Sequence, residues 1–318
     1  MIAKLPLRLR TLPTPMAGLA LGIASLGWCM ENALPLHGFG QATGALIASG
    51  LLGLLMIRFS FHFDTLQADL KHPVAGSIVP TFAMALMVIS KALGNVFPDA
   101  GAALWLFAVV IHLLALLAFA WHRLHDRRLD AMVPSWFIPP VGMIVADVSF
   151  PGQASLLPLA YLLLTVGMIS YAVLLPIMLY RLFFRPSLET GTKPTLAIMA
   201  APASLSLAGY LTVVAEPNLL LCAVLLGIAL LMTLTIYFAF WHLLRLQFSP
   251  GYAAFTFPMA IGATALYKSA AAIEHFEGAA DYVLWLRGLA HVELVIAGIV
   301  ILYVFTLYMK NFPLFLQR

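Results

Sequence analysis

Residues Tyr252–Ala272 read YAAFTFPMAIGATALYKSAAA, an apolar run broken by Pro258 and closed by Lys268. Crossing about 30 Å of hydrocarbon takes roughly 20 apolar residues as helix, because nothing but the helix itself can satisfy backbone polar groups there. This run is long enough. Nine further windows qualify: Met16–Leu34, Thr43–Phe61, Gly76–Val96, Ala102–Trp121, Pro134–Phe150, Ser155–Tyr180, Thr195–Val214, Leu219–Leu244 and Tyr282–Met309. The expected fold class is an all-α integral membrane protein of ten transmembrane helices. Composition agrees: 63% of the residues are hydrophobic and 9% charged, against about 25% charged in soluble domains. The mean hydropathy of +0.99 is spread along the chain, so residues 1–318 read as a single transmembrane channel or transporter domain. The stretch before the first window carries Lys4, Arg8 and Arg10 with no separate apolar core, so no cleavable signal peptide is expected.

Ten spans sort the 17 Lys and Arg residues onto two sides. Lys4, Arg8, Arg10, Arg58, Lys71, Arg123, Arg127, Arg128, Arg181, Arg185, Lys193, Arg245, Lys310 and Arg318 share one side, and Lys91, Lys268 and Arg287 remain on the other. Cytoplasmic loops accumulate positive charge, so both termini are expected inside. The net charge of +4 is thereby a membrane signature, and no nucleic-acid partner is expected. Cys29 and Cys222 lack any paired spacing, and His112 and His122 are ten residues apart, too far to share one helix face. No disulfide, metal or cofactor is expected. A membrane enzyme or electron carrier would need paired ligands that the sequence lacks, so the chain does not read as an enzyme.

Pro80, Pro140, Pro202 and Pro258 recur at spacings of 60, 62 and 56 residues, each inside an odd-numbered window. The period fits one helical hairpin. A proline removes an intrahelical bond and kinks its helix, and the small residues around these four allow close backbone approach. Two populations of helix follow. Kinked odd helices form an inner ring, and Leu-rich even helices form a lipid-facing jacket; five such hairpins can enclose a narrow pore.

The runs LPTPMAGLALGIASLGW (Leu12–Trp28), KHPVAGSIVP (Lys71–Pro80) and AAFTFPMAIGATA (Ala253–Ala265) resemble the tellurite-resistance and dicarboxylate-transporter family, whose members include the plant guard-cell slow anion channel. The resemblance implies five helical hairpins in a ring around a central pore, a homotrimer in the bacterial inner membrane, and passage of small inorganic anions. It places the family's gating aromatic on Phe257, just before the kink proline of the ninth helix. A second aromatic of bacterial relatives falls on Ala17, beside Gly18, and the first inner proline is replaced by Ala20, so the first helix is expected to be straighter.

The gate reading is physically sound, since an aromatic ring in a narrow apolar tube excludes water, and dewetted constrictions close channels. Pro80, Pro140, Pro202, Pro258, Ala17 and Gly18 are the expected kink and pore-lining positions. Lys91 and Lys268 lie 11 and 10 residues after Pro80 and Pro258, roughly 15 Å further along, near the outer mouth. There they either snorkel to headgroups or focus anions electrostatically. Asp147 lies at similar depth and could pair with either. Glu293 is ionisable at membrane depth; on an outer helix, pairing with Arg287 or a subunit contact is expected of it. The function expected is a gated channel for monovalent anions such as chloride and nitrate. The alternative is a secondary carrier for C4-dicarboxylate, sulfite or tellurite-type oxyanions.

Overall fold

A computed structural model describes residues 9–125 and 128–316; Lys4, Arg8, Arg127 and Arg318 of the charge sort lie outside it. Among the described residues helix is the sole regular structure. Seven helices are long and apolar enough to cross a membrane: α2 (Phe39–Phe61), α3 (Ala75–Gly94), α4 (Pro98–His125), α6 (Ala154–Phe184), α7 (Lys193–Val213), α8 (Leu219–Leu243) and α10 (Ala280–Leu316). A shorter apolar helix, α1 (Met16–Met30), precedes them. The chain is therefore a multi-pass helical membrane protein.

The remaining two windows fold differently. In α9, residues 250–273, a 3₁₀ stretch Pro250–Phe255 leads into the α-helix Thr256–Ile273. In α5, residues 134–148, no continuous helix forms. The chain strings together 3₁₀ and α pieces over Pro134–Phe137, Ile138–Val141, Gly142–Ile144 and Val145–Val148. Pro134, Pro139 and Pro140 each lack an N–H donor, and Gly142 adds backbone freedom, so α-helical bonds cannot propagate through this segment. Each of the four spaced prolines marks a break. Pro80 joins Ala75–Ile78 to Thr81–Gly94, and Pro202 opens the α part of α7 after the 3₁₀ stretch Lys193–Ala200. By contrast α1, with Ala20 at that level, runs without interruption.

Burial divides the segments as the sequence suggests: 78% of the most apolar window of α7 is buried, against 22% for α8. Side chains such as Phe107, Leu117, Phe238 and Trp241 on α4 and α8 point outward, as lipid-facing residues must. Odd-numbered segments pack on their odd-numbered neighbours, α1 on α3, α3 on α5, α5 on α7 and α7 on α9, and α9 packs back on α1. The α1–α9 contact is close. A Cβ added to Gly22 would overlap the Thr256 side chain, and Thr256 Oγ1 donates to the Gly18 carbonyl at 3.2 Å.

A buried polar network secures the entry to α1. Arg58, at the end of α2, is 6% exposed; its Nη2 donates to Asp69 Oδ2 at 2.9 Å and its Nη1 to Thr14 Oγ1 at 2.7 Å. Its Nε reaches the Arg10 carbonyl at 3.2 Å, and Thr14 Oγ1 donates to the same Asp69 oxygen at 2.5 Å. Asp69 sits on the short amphipathic helix Phe63–Lys71, so one guanidinium ties together three parts of the chain.

Candidate functional site

Two cavities lie between the odd-numbered segments. The larger, about 60 Å³, is lined by all five: Pro15 and Gly18 of α1, Ile78 and Thr81 of α3, Phe137 and Val141 of α5, Ala201 and Pro202 of α7, and Phe257 and Pro258 of α9, among others. The smaller, about 10 Å³, again draws on all five, through Ser25 and Trp28, Val88, Val145 and Val148, Leu205, and Ile261 and Thr264. That volume is close to the minimum for one water molecule. Phe257 and Leu205 line both cavities. A wall of one phenylalanine and one leucine, the neck, is thus common to both chambers.

The larger cavity is almost wholly apolar. α-Helical stretches begin beside it at Thr81 of α3, Ala201 of α7 and Thr256 of α9, while Pro15 caps α1. The first three each follow an earlier turn of the same segment, and the first N–H groups of α1 are already bonded, Met16 to the Pro13 carbonyl and Gly18 to the Pro15 carbonyl.

The expected site residues are only partly brought together. Phe257, Pro202, Pro258 and Gly18 line the larger cavity. Pro80, Pro140 and Ala17 do not; Thr81, Val141 and Gly18 take their places, since one residue along a helix turns the side chain by about 100°. Leu205 was not singled out by sequence, and nothing distinguishes it there from other leucines of apolar helices. Phe257 is 8% exposed, and its neighbour Thr256 is fixed by a second bond, to the Ala253 carbonyl at 2.7 Å.

The charged candidates depart further from expectation. Lys91 Nζ donates to the Phe150 carbonyl at 2.9 Å, because α5 stops at Val148 and leaves carbonyls there without helical partners. Lys268 is half-buried and lies within electrostatic reach of Lys91. Neither lines either of these two cavities. Asp147 pairs with neither lysine: it is fully buried against Gly209 of α7, and both its carboxyl oxygens lack hydrogen-bond partners. Glu293 does not pair with Arg287, whose guanidinium goes instead to Glu274 at 2.8 Å.

Comparison with known proteins places this geometry. Residues 15–309 match the SLAC1 family model, described as voltage-dependent anion channel. A tellurite resistance protein TehA homolog from Haemophilus influenzae is 25% identical over 80% of this chain and 81% of its own length. Two proteins described as uncharacterized transporters, both from Methanocaldococcus jannaschii, are 27% and 26% identical over 66% and 64% of this chain, and 68% and 66% of their own lengths. The family match extends from the proline at the cavity mouth to the last turns of α10, and the chain belongs to the SLAC1 family of voltage-dependent anion channels, the family that also embraces the tellurite-resistance transporters.

Proposed function

We propose that the protein is a gated channel for small monovalent anions such as chloride and nitrate. Ten helices, arranged as five hairpins in a ring over residues 1–318, surround a central pore, and Phe257 closes it at mid-membrane. The observation that carries this reading is the pair of cavities, each lined by all five odd-numbered segments and sharing Phe257 and Leu205. The cyclic packing of odd segments and the outward side chains of α4 and α8 support the ring. The apolar lining supports weak attraction, and an ion that binds weakly can leave. Protomers assemble as a homotrimer in the bacterial inner membrane, as the family resemblance implies.

A second reading, a carrier of dicarboxylate, sulfite or tellurite-type oxyanions, draws support from relatives described as transporters and as a tellurite resistance protein. Purified protein in a planar bilayer distinguishes the two. Under a chloride gradient a channel gives a reversal potential near that of the anion and discrete current steps; slow saturable flux without steps indicates a carrier.

Topology is testable separately. Both termini are proposed to be cytoplasmic from the Lys and Arg asymmetry, so reporters after Arg127 and Arg318 should score inside and one near Glu216 outside. A C-terminal reporter scoring outside would contradict the arrangement.

The outer lysines set a third expectation. Replacing Lys91 and Lys268 together by Gln should lower anion conductance at low salt and matter little near 1 M, where the Debye length is about 3 Å. An effect of equal size at both ionic strengths would remove the two charges from any role in anion capture.

A further inference from the structure

Glu293 sits partway along α10, on the lipid-facing layer, but its side chain turns inward and is 7% exposed. Its Oε2 has no hydrogen-bond partner. A Cβ placed on Gly262 of α9 would come within 2.5 Å of that oxygen, so the missing side chain at residue 262 creates the recess that the carboxyl fills. Thr233 of α8 borders the same recess.

The titratable groups facing this point come from every helix packed around it. Cys29 of α1 and Tyr237 of α8 are within electrostatic reach of Glu293. Tyr267 of α9 interacts with Cys29, and His291 of α10 sets its ring edge-on to Tyr267 at 5.5 Å. The Tyr237 and Tyr267 hydroxyls are buried and unpartnered. No Lys or Arg is among these groups, and Arg287 is held by Glu274. An ionised carboxylate in such surroundings would have no counter-charge among these groups, which is an expensive arrangement in a membrane interior. A bound proton removes the charge with no further partner.

The recess lies close to the neck. Gly262 follows Phe257 by five residues, about 7.5 Å along the helix, and Thr264 of the same helix lines the smaller cavity. We propose that Glu293 is a proton-binding site coupled to anion passage. With the proton bound, the carboxyl rests in the Gly262 recess and α9 holds Phe257 across the neck. When the proton passes to water, the carboxylate leaves the recess for water, and α9 loses the contact that fixes it; no other bond changes. The inference deepens the channel reading and rests on it for its flux component.

The test has two arms on the purified full-length protein. Infrared difference spectra recorded during a pH titration should show a protonated carboxyl band that disappears as pH rises. Glu293→Gln should abolish that band, Asp147→Asn should leave it, and Gly262→Ala, which fills the recess, should weaken it. A Glu293→Gln spectrum that titrates like the parent's would overturn the proton site. In liposomes, chloride flux of the parent should increase as pH rises, by at most about tenfold per unit for a one-proton step. Glu293→Gln should hold flux at the low-pH level throughout, and a parent-like pH profile in that variant would overturn the coupling. A parent protein with no chloride flux at any pH defeats the channel reading, while the infrared arm still decides the proton site on its own.

Discussion

Phe257→Ala should raise chloride flux by about tenfold or more over the unmodified protein. The ring lines both cavities and stands with Leu205 at the neck between them. Under the proposed gate, removing it joins the two spaces and admits water. Each 1.4 kcal/mol taken off a barrier multiplies a rate about tenfold, and opening a dewetted neck should remove at least that much. Phe257→Leu, which keeps most of the apolar bulk, should give a smaller rise. A residue that only packs predicts the opposite sign, since deleting a large buried aromatic typically costs about 3–5 kcal/mol of stability and reduces the amount of folded protein. Flux is therefore to be measured per correctly assembled protein, with oligomer size verified by chromatography first. Properly assembled Phe257→Ala with unchanged or reduced flux would refute the gate.

The largest expected loss of stability lies in the network around Arg58. Arg58→Ala removes the guanidinium that joins Asp69, Thr14 and the Arg10 carbonyl and leaves the Asp69 carboxylate with the Thr14 hydroxyl alone. Breaking a buried ion pair from one side costs about 3–5 kcal/mol. Asp69 keeps 21% side-chain exposure, so water can partly re-solvate it, and about 3 kcal/mol is the expected figure. The penalty comes from stranding a charge, so removing both charges should hurt less: Arg58→Met with Asp69→Leu should melt at a higher temperature than Arg58→Met alone. Strictly additive losses in the detergent-solubilised protein would show that the pair is not energetically coupled. Arg10–Asp64, at 2.7 Å but with both side chains more than half exposed, should contribute little by comparison.

How far the sequence could be read depended on what each signal reports. Hydropathy located seven long spans to within a few residues, because a helix in lipid must be apolar wherever it is exposed. It failed at residues 134–150, where the apolar run was sound but the donors were missing. Pro139 and Pro140 contain that information, which a hydropathy window averages away. The proline period gave the breaks in α3, α7 and α9, but not which neighbour of each proline faces the cavity. The place of Phe257 in the cavity lining was legible through its motif. Leu205 was not, since one leucine in an apolar helix carries no mark of the space it borders. The expected pairing of Glu293 with Arg287 did not form, because this side chain points at a glycine whose missing Cβ shows only in three dimensions.

The hydrogen bond from Thr256 to the Gly18 carbonyl spans 238 residues of chain, and this distance orders events during biosynthesis. Chains elongate at about 5–20 residues per second, so α1 waits roughly 10–50 s for the partner that covers Gly22. Through that interval the nascent chain has a seam, with the small-residue face of α1 turned toward lipid or the insertion machinery. Bulk added at Gly22 would leave insertion and the earlier helix pairs intact and act only on the last docking step. Such a variant should accumulate as a membrane-inserted, protease-sensitive species whose lesion lies near the beginning of the chain and whose defect becomes apparent only when synthesis is almost complete.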